Sequence, residues 1–161
     1  MSTALIIVDI QNDYFPNGKM ELSKPELAAA NAAKVLDWFR KNTKDSVYHV
    51  QHIASDPALG FFLPDTTGAE IHKTVLPLEN ETVVTKSFAN SFLETGLESK
   101  LRENGVTKVV IIGMMTHMCI DATVRAAVDL GFEAVLIEDA CATRDLSYGD
   151  KTVPAEQVHY A

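Results

Sequence analysis

The sequence predicts an α/β fold in which a mainly parallel, doubly wound sheet carries helices on both faces. Two observations point to it. Short runs rich in β-branched apolar residues recur along the chain, and amphipathic segments of helical period stand between them. The apolar runs alternate little with polar residues, which is typical of parallel strands buried on both faces. With 161 residues, the chain fits one domain, residues 1–161, built in three layers.

The first half of the chain begins with a predicted strand, ALIIVDI, and continues into a predicted helix. Ser23 and Glu26 stand at the spacing of a capping box, and Pro25 falls in the first turn. The expected apolar stripe of this helix comprises Leu27, Ala30, Leu36 and Phe39. SVYHVQHI predicts a second strand. Residues 54–77 carry Pro, Gly, Asp and Thr with little periodicity, which predicts a long loop of functional importance.

The second half repeats the alternation. ETVVT predicts a strand, residues 91–104 a helix, and KVVIIG a strand. CIDATVRAAVDLG predicts a helix that ends at Gly131, and EAVLIEDA predicts the next strand. Pro154 stands where a further helix would begin, yet the chain stops about two turns later at Ala161. Because so short a helix is marginal without packing, we expect the domain to lack its natural C-terminal end.

The composition disfavours several classes of protein. A formal net charge of −8 argues against nucleic acid as a partner and against an anionic membrane surface. No stretch approaches the roughly 18 consecutive apolar residues of a transmembrane helix. The N-terminal apolar run lacks a basic flank and soon meets Asp9, so it predicts a strand rather than a signal peptide. Two cysteines provide no disulfide framework, and we therefore expect free thiols and a cytoplasmic location.

Three residues of complementary chemistry follow three different predicted strands: Asp9, Lys86 and Cys119. Because ligands bind at the carboxyl ends of strands in an open parallel sheet, we expect these residues at one edge. A thiol attacks well only as its thiolate, and a helix N-terminus and the Lys86 ammonium are both expected to favour that form of Cys119. Asp9, with a pKa raised by burial, would take the thiol proton and later deliver it to a leaving amine. Backbone N–H groups of Met115 and Cys119 would hold an oxyanion.

Each of these residues also has an ordinary structural interpretation. A lone cysteine is most often a buried, inert thiol. Asp9 could cap a turn, and Lys86 could be a solvated surface lysine. Their joint placement favours the catalytic interpretation over three separate coincidences. Cys141 is expected to be structural, and Asp139 is expected to cap a turn or a helix.

Four further side chains are candidates for the wall of a substrate pocket: Phe15, His52, Phe88 and His117. Core packing is the commoner role for a phenylalanine, and His52 could be a hydrogen-bonded core histidine. His117 could equally lie at the rim of the pocket or in an interface. Gln11 and Asn12 are expected to orient the first loop rather than to react.

Three stretches resemble the isochorismatase-like cysteine hydrolase superfamily: IIVDIQNDYF, VVTKSFANSFLETGLESKLRENGV and KVVIIGMMTHMCIDATVRAAVDLGFEAVLIEDACAT. Their specific features are the aspartate after the first strand, the lysine before Ser-Phe, and the turn G-x-x-T-x-x-C. The resemblance implies a three-layer doubly wound fold and a catalytic triad, here Asp9, Lys86 and Cys119. It also implies a cis peptide bond between Met114 and Met115, which would leave the Met115 and Cys119 amides as the oxyanion hole.

This superfamily carries out several reactions, and particular residues distinguish among them. Members that cleave the vinyl ether of isochorismate lack the cysteine, so Cys119 favours hydrolysis of a C–N bond in a small amide, imide or carbamoyl compound. Nicotinamidases add a metal site after the second strand. His49 and His52 differ by an odd number of positions, so on a strand they face opposite sides and cannot share a metal. We therefore expect no metal and no organic cofactor.

The resemblance further implies a homo-oligomer, a dimer or a tetramer, that acts on a small-molecule substrate. Two other functions stay open at this point. An isochorismate-type vinyl-ether hydrolase would work without the thiol, and a binding or scaffold protein could keep the site without using it. A dinucleotide-binding domain is disfavoured, because no glycine-rich fingerprint follows the first strand.

Overall fold

The computed structural model describes residues 2–44 and 46–161 and contains a five-stranded parallel sheet. The strands are β1 (Ser2–Val8), β2 (Val47–His52), β3 (Thr82–Lys86), β4 (Val106–Met114) and β5 (Glu133–Ala142). They lie in the order β3-β2-β1-β4-β5. The winding direction reverses between β1 and β4, so their carboxyl ends meet near the centre of one edge. The predicted α/β fold is confirmed.

Helices cover both faces of the sheet. They are α1 (Pro25–Asn42), α2 (Leu97–Glu103), α3 (Asp121–Asp129) and the short α4 (Ala155–Tyr160). Alternate side chains of β1 point to opposite faces, as its pleat requires. Leu5 and Ile7 share one core with the buried side of α1, whereas Ile6 and Val8 share a second core with residues of α2 and α3. The two cores make the three layers.

The predicted start of α1 is wrong in detail. Lys24, in the left-handed region with φ 51°, precedes the helix, and no side chain caps it. Ser23 instead donates its N–H to the carbonyl of Thr143 at 2.9 Å, which ties the chain to the end of β5. Of the predicted apolar stripe, Leu36 and Phe39 are buried as expected, whereas Leu27 is 62% exposed and Ala30 is also exposed. The buried side comprises Pro25, Ala28, Ala29, Ala32, Leu36 and Phe39.

The predicted helix over residues 91–104 begins later than expected, at Leu97. Gly96 precedes it with φ 70°, a conformation that interrupts a right-handed helix. The hydroxyl of buried Ser91 lies 2.8 Å from Oγ1 of Thr123, on α3. Here a tertiary hydrogen bond outweighs the helix propensity of the segment.

Residues 54–77 form the predicted long loop, with three 3-10 turns at Pro57–Leu59, Thr67–Ala69 and Lys73–Val75. Sequence patterns did not predict the antiparallel hairpin of β6 (Leu146–Tyr148) and β7 (Lys151–Val153), since three-residue strands carry too little periodicity. Within residues 2–44 and 46–161, no helix is both long enough and apolar enough to cross a bilayer.

The sheet depends on a close approach between β1 and β4. Gly113 pairs with Val8 in the register and has φ 136°. A β-carbon on Gly113 would lie 1.9 Å from the carbonyl oxygen of Val8, so no other residue fits without a backbone shift. This glycine therefore brings the end of β4 against the end of β1, immediately before Asp9.

Replacing Gly113 with alanine is expected to prevent folding or to lower the melting temperature severely, because the added methyl group overlaps the Val8 carbonyl. Gly131→Ala is the matched control. It also has a positive φ, 84°, but nothing lies within 4 Å of its β-carbon position. Its expected cost is only about 1–2 kcal/mol, the typical penalty for a side chain in the left-handed conformation. Thermal unfolding followed by circular dichroism compares the two, and equal stability of the variants would contradict this account.

Candidate active site

The three candidate catalytic residues meet at the carboxyl edge of the sheet. Asp9 directly follows β1, Lys86 ends β3, and Cys119 lies in a π-helical turn, Thr116–Ile120, between β4 and α3. The Lys86 ammonium is 2.9 Å from Oδ2 of Asp9, and both side chains are 0% exposed. Cys119 is 6% exposed. The structure thus places a buried acid, cation and thiol together.

Lys86 has further polar neighbours besides Asp9. Its Nζ lies 3.2 Å from Nδ1 of His52 and donates to the backbone carbonyls of Phe88, at 3.0 Å, and Ala89, at 3.3 Å. Burial by itself would lower the pKa of the ammonium, but its interactions with Asp9 first, and with Cys119, outweigh burial and raise that pKa. Lys86 is therefore a fixed cation at neutral pH.

Asp9 has a backbone conformation that is uncommon outside glycine, with φ 53°. Its N–H donates to the carbonyl of Val50 at 3.0 Å, which holds it at the end of β1. Neither of its carboxylate oxygens accepts a well-aligned hydrogen bond from the described part of the chain, so the contact with Lys86 is an ion pair. The oxygens therefore keep lone pairs free to accept a proton.

Burial opposes the expected stabilisation of the Cys119 thiolate by the helix N-terminus and Lys86. Burial and, to a lesser extent, the Asp9 carboxylate raise the pKa of the Cys119 thiol to about 12, and Lys86 opposes them only in part. At neutral pH the sulfur therefore carries its proton, beside the Asp9 carboxylate that pairs with Lys86. A thiol next to a carboxylate is arranged to lose its proton during attack rather than before it.

The turn that carries Cys119 begins at a cis peptide bond between Met114 and Met115. The carbonyl of Met115 accepts the N–H groups of Met118 and Ile120, at 3.1 and 3.2 Å. The helix predicted to begin at Cys119 is therefore preceded and partly replaced by a π-helical turn. Such turns are rare and are frequent at functional sites. The role of the Met115 and Cys119 amides as an oxyanion hole stays a prediction.

Of the four predicted pocket residues, His52 contacts Lys86 of the candidate triad, since its Nδ1 lies 3.2 Å from Nζ. Burial lowers the pKa of His52, so its imidazole is neutral and Nδ1 accepts from the ammonium. Phe15 is buried and stacks on His72, with ring centroids 3.6 Å apart. The side chain of Phe88 is half exposed, and its carbonyl serves Lys86. His117 Nδ1 lies 2.7 Å from Oγ1 of Thr143.

Tyr14 belongs to the site although the sequence patterns did not single it out. It is buried in the loop after β1, where its ring packs against Phe62 with centroids 4.6 Å apart. Burial raises the pKa of Tyr14 well above its usual value, and the charges of Asp9 and Cys119 raise it further. Its phenol is therefore a neutral group beside the triad. Its position in the sequence, five residues after Asp9, was the signal that could have indicated its place near the site.

Gln11 joins the first loop to the end of β2. Its Oε1 accepts the N–H of His52 at 2.8 Å, and its Nε2 donates to the carbonyls of His52 and Ala69, both at 2.8 Å. Asn12 donates to the carbonyl of Thr67 at 2.8 Å. The expectation that Gln11 and Asn12 orient the first loop is confirmed.

Asp13, another buried residue of the first loop, binds two separate backbone segments. Its Oδ2 accepts the N–H of Phe62 at 2.7 Å, and its Oδ1 accepts the N–H of Lys19 at 3.0 Å. Gly68 leaves room for it, because a β-carbon there would lie 2.2 Å from Oδ1. The carboxylate thus fixes part of the long loop beside Tyr14.

Three side chains that could bind a metal ion surround the ammonium group of Lys86 instead. Ligand atoms of Asp9, His52 and Cys119 lie within 4.8 Å of one another, but the Lys86 ammonium stands among them and already supplies a positive charge. His49 is not part of this group. Its Nε2 lies 2.9 Å from Oε2 of Glu81, whose carboxylate also binds Arg40. The two histidines therefore make separate contacts, as their spacing predicted.

A large surface groove of about 740 Å³ lies away from these residues. Trp38 and Phe39 of α1 and Val135 and Ile137 of β5 line it, and no triad residue does. Grooves of this size are the usual first guess for a binding site. The polar chemistry of this chain lies elsewhere, so we assign the site by its reactive groups rather than by volume.

Comparison with known proteins places this chain among relatives. Residues 3–153 match the Isochorismatase domain. The chain belongs to the isochorismatase family. It is 59% identical over 161 residues to the uncharacterised isochorismatase family protein YddQ of Bacillus subtilis, covering 100% of this chain and 89% of that protein.

Solved structures of family members have the same fold. A putative isochorismatase hydrolase from Oleispira antarctica superposes with a TM-score of 0.92 at 48% identity, covering 99% of this chain and 85% of that one. N-carbamoylsarcosine amidase from Thermoplasma acidophilum superposes with a TM-score of 0.80 at 27% identity, covering 89% and 86% of the two chains. The protein is therefore an isochorismatase-family hydrolase.

The charges around Cys119 predict that removing Asp9 and removing Lys86 change the alkylation rate of the thiol in opposite directions. In a Cys141→Ser background, Asp9→Asn is expected to speed alkylation of Cys119 by iodoacetamide at pH 8, because it removes a charge that raises the thiol pKa. Lys86→Met is expected to slow alkylation, because it removes the charge that lowers the pKa. Mass spectrometry of the labelled protein measures both rates, and the opposite order would contradict the assigned electrostatics.

Proposed function

We propose that this protein is a cysteine hydrolase that cleaves a C–N bond of a small amide, imide or carbamoyl compound through a thioester on Cys119. The observation that carries the proposal is the meeting of a buried thiol, carboxylate and ammonium: ligand atoms of Cys119 and Asp9 lie within 4.8 Å of each other, and Lys86 Nζ is 2.9 Å from Asp9 Oδ2. This set contains a nucleophile, a base for its proton and a cation that keeps the base ionised.

In the first step, Asp9 takes the thiol proton as the Cys119 sulfur bonds to the carbonyl carbon. The carbonyl π electrons move to oxygen, and the backbone amides of Met115 and Cys119 stabilise the negative charge that develops there. When the carbonyl re-forms, the C–N bond breaks, and Asp9 gives its proton to the departing nitrogen. An amine or ammonia leaves, and the acyl group remains on sulfur.

In the second step, Asp9 takes a proton from water as the water oxygen adds to the thioester carbon. Collapse of this second intermediate breaks the carbon–sulfur bond, and Asp9 returns a proton to the sulfur. The acid leaves, and the resting thiol is restored. Lys86 does not react. Its fixed positive charge favours the ionised form of Asp9 and offsets negative charge passing through the site.

Two observations support C–N chemistry over the alternatives. A vinyl-ether hydrolase would have no use for Cys119, yet the sulfur lies within 4.8 Å of a carboxylate oxygen of Asp9. N-carbamoylsarcosine amidase, whose fold this chain shares, is named for hydrolysis at a carbamoyl group. A protein that only binds a ligand would gain nothing from a buried proton acceptor beside a thiol.

The remaining predictions about the protein accompany this proposal. We propose a cytoplasmic enzyme that needs no metal or organic cofactor and assembles as a homo-oligomer, a dimer or tetramer. Static light scattering measures the assembly, and a monomer at micromolar concentration would contradict that part of the proposal.

Hydrolysis of a panel of primary amides, cyclic imides and N-carbamoyl compounds, followed by release of ammonia or amine, tests the mechanism. Cys119→Ala is expected to lower kcat by roughly 10³-fold or more, the loss typical of a nucleophile. Asp9→Asn is expected to have a comparable effect. Cys141→Ala is the matched control and is expected to retain activity, since its sulfur donates to the backbone carbonyl of Ile137 and is not one of the proposed catalytic groups.

Mass spectrometry of quenched reactions is expected to find the acyl group on Cys119. Full activity in the Cys119→Ala variant would exclude the thioester route. Absence of both hydrolysis and adduct with every compound of the panel would contradict the proposed function.

A further inference from the structure

Among the described residues, one arginine lacks the carboxylate partner that the other three have. The chain has four arginines. Arg40 pairs with Glu81, Arg102 with Glu98, and Arg125 with Asp121, at 2.6, 3.1 and 2.9 Å. Within residues 2–44 and 46–161, Arg144 forms no ion pair with an acidic side chain, in a protein whose net charge is −8.

The donors of Arg144 are largely unused inside the protein. Its Nε is buried and has no hydrogen-bond partner in the described part of the chain. Nη1 donates only to the backbone carbonyl of Asp145, at 3.1 Å. The carboxylate of Asp145 binds elsewhere, to the N–H of Ala155 at 2.7 Å. Because a buried N–H without an acceptor is costly, this guanidinium fits a site that receives an acceptor from a ligand.

The position of Arg144 is next to the catalytic turn. Ala142, two residues earlier, pairs with Met114 in the β4–β5 register. Thr143 is buried, and its hydroxyl lies 2.7 Å from Nδ1 of His117, two residues before Cys119. The chain therefore delivers Arg144 to the same edge of the sheet as the triad.

Electrostatic effects agree with this placement. Burial lowers the pKa of His117, and the charge of Arg144 lowers it further. Burial, Asp9 and Cys119 raise the pKa of Tyr14, and Arg144 opposes them. The pKa of Tyr14 is thus affected both by Arg144 and by two members of the triad.

We infer that Arg144 binds a carboxylate of the substrate, so that the compound cleaved at Cys119 is an amide or carbamoyl derivative of an acid. A guanidinium presents N–H groups in a planar fork that matches the two oxygens of a carboxylate. In a protein with a large negative net charge, such a local cation is what lets an anion approach Asp9. This inference rests on the proposed function, because it assigns the substrate class of the same site.

Matched substrates separate the role of charge from the role of the amide. Succinamate and succinamide differ only in a carboxylate against a neutral amide, as do N-carbamoylglycine and N-carbamoylglycinamide. Arg144→Gln is expected to raise KM for the anionic member of each pair by about 10- to 100-fold, the typical loss for a hydrogen bond to a charged group. Its KM for the neutral member is expected to stay within about twofold, and Arg144→Lys is expected to fall between wild type and glutamine for the anionic member.

Arg125→Gln is the control, since Arg125 is an exposed arginine paired with Asp121 on α3. It is expected to leave KM unchanged for both members of each pair. Melting temperatures of all variants establish that they fold. An Arg144→Gln variant that changes KM equally for anionic and neutral members, or for neither, would overturn the inference.

Binding without turnover distinguishes this inference from the proposed function. Calorimetry measures binding of succinamate and N-carbamoylglycine to the Cys119→Ala variant, with and without Arg144→Gln. Binding that Arg144→Gln abolishes supports the carboxylate site even if no compound is hydrolysed. Hydrolysis through Cys119 with no preference for the anionic compounds would overturn the carboxylate site and leave the proposed function in place.

Discussion

The buried ion pair between Lys86 and Asp9 is the interaction on which the site depends. Both side chains are fully withdrawn from solvent, so each charge has lost its hydration. Removing one partner of such a pair leaves an uncompensated buried charge, with a typical cost of about 3–5 kcal/mol. The pair also joins the ends of two strands that are not neighbours, because β2 lies between β3 and β1. His52, at the end of β2, fills that gap with a neutral nitrogen 3.2 Å from the ammonium.

This pairing explains why the thiol is protonated at rest. Burial and the Asp9 carboxylate both disfavour the thiolate, and the positive charge of Lys86 offsets them only in part. The resting site therefore holds a protonated thiol beside the Lys86–Asp9 ion pair. Deprotonation of sulfur and protonation of Asp9 then move charge within the site without changing its total. Such transfers are less costly in a buried site than creating a new charge.

Much of the fold could be predicted because its strands are β-branched apolar runs whose ends are marked by polar residues. Local features were less predictable. The capping box at Ser23 failed because the N–H of that residue bonds to β5, and α2 is short because Ser91 bonds to Thr123. Both are contacts between segments distant in sequence, which local patterns do not contain.

The candidate triad could be placed from strand ends alone, since parallel strands bring their carboxyl ends to one edge. The protonation state of Cys119 could not be predicted in this way, because it depends on how deeply the sulfur is buried and on which charged group is nearer. The sequence patterns did not indicate roles for Tyr14 and Arg144 for a related reason. Each is ordinary in composition and acquires its significance from neighbours that the fold supplies.

The double attachment of Asp13 has a consequence for how this enzyme can diversify. Its carboxylate holds residues 19 and 62 from a position beside Tyr14, and the residues that follow, 64–67, are exposed. Exchanges among those exposed residues leave the anchor untouched and the nucleophile in register. The fold thereby keeps the residues that anchor this loop apart from its exposed residues. The exposed residues can therefore change during evolution while the anchor is conserved in place.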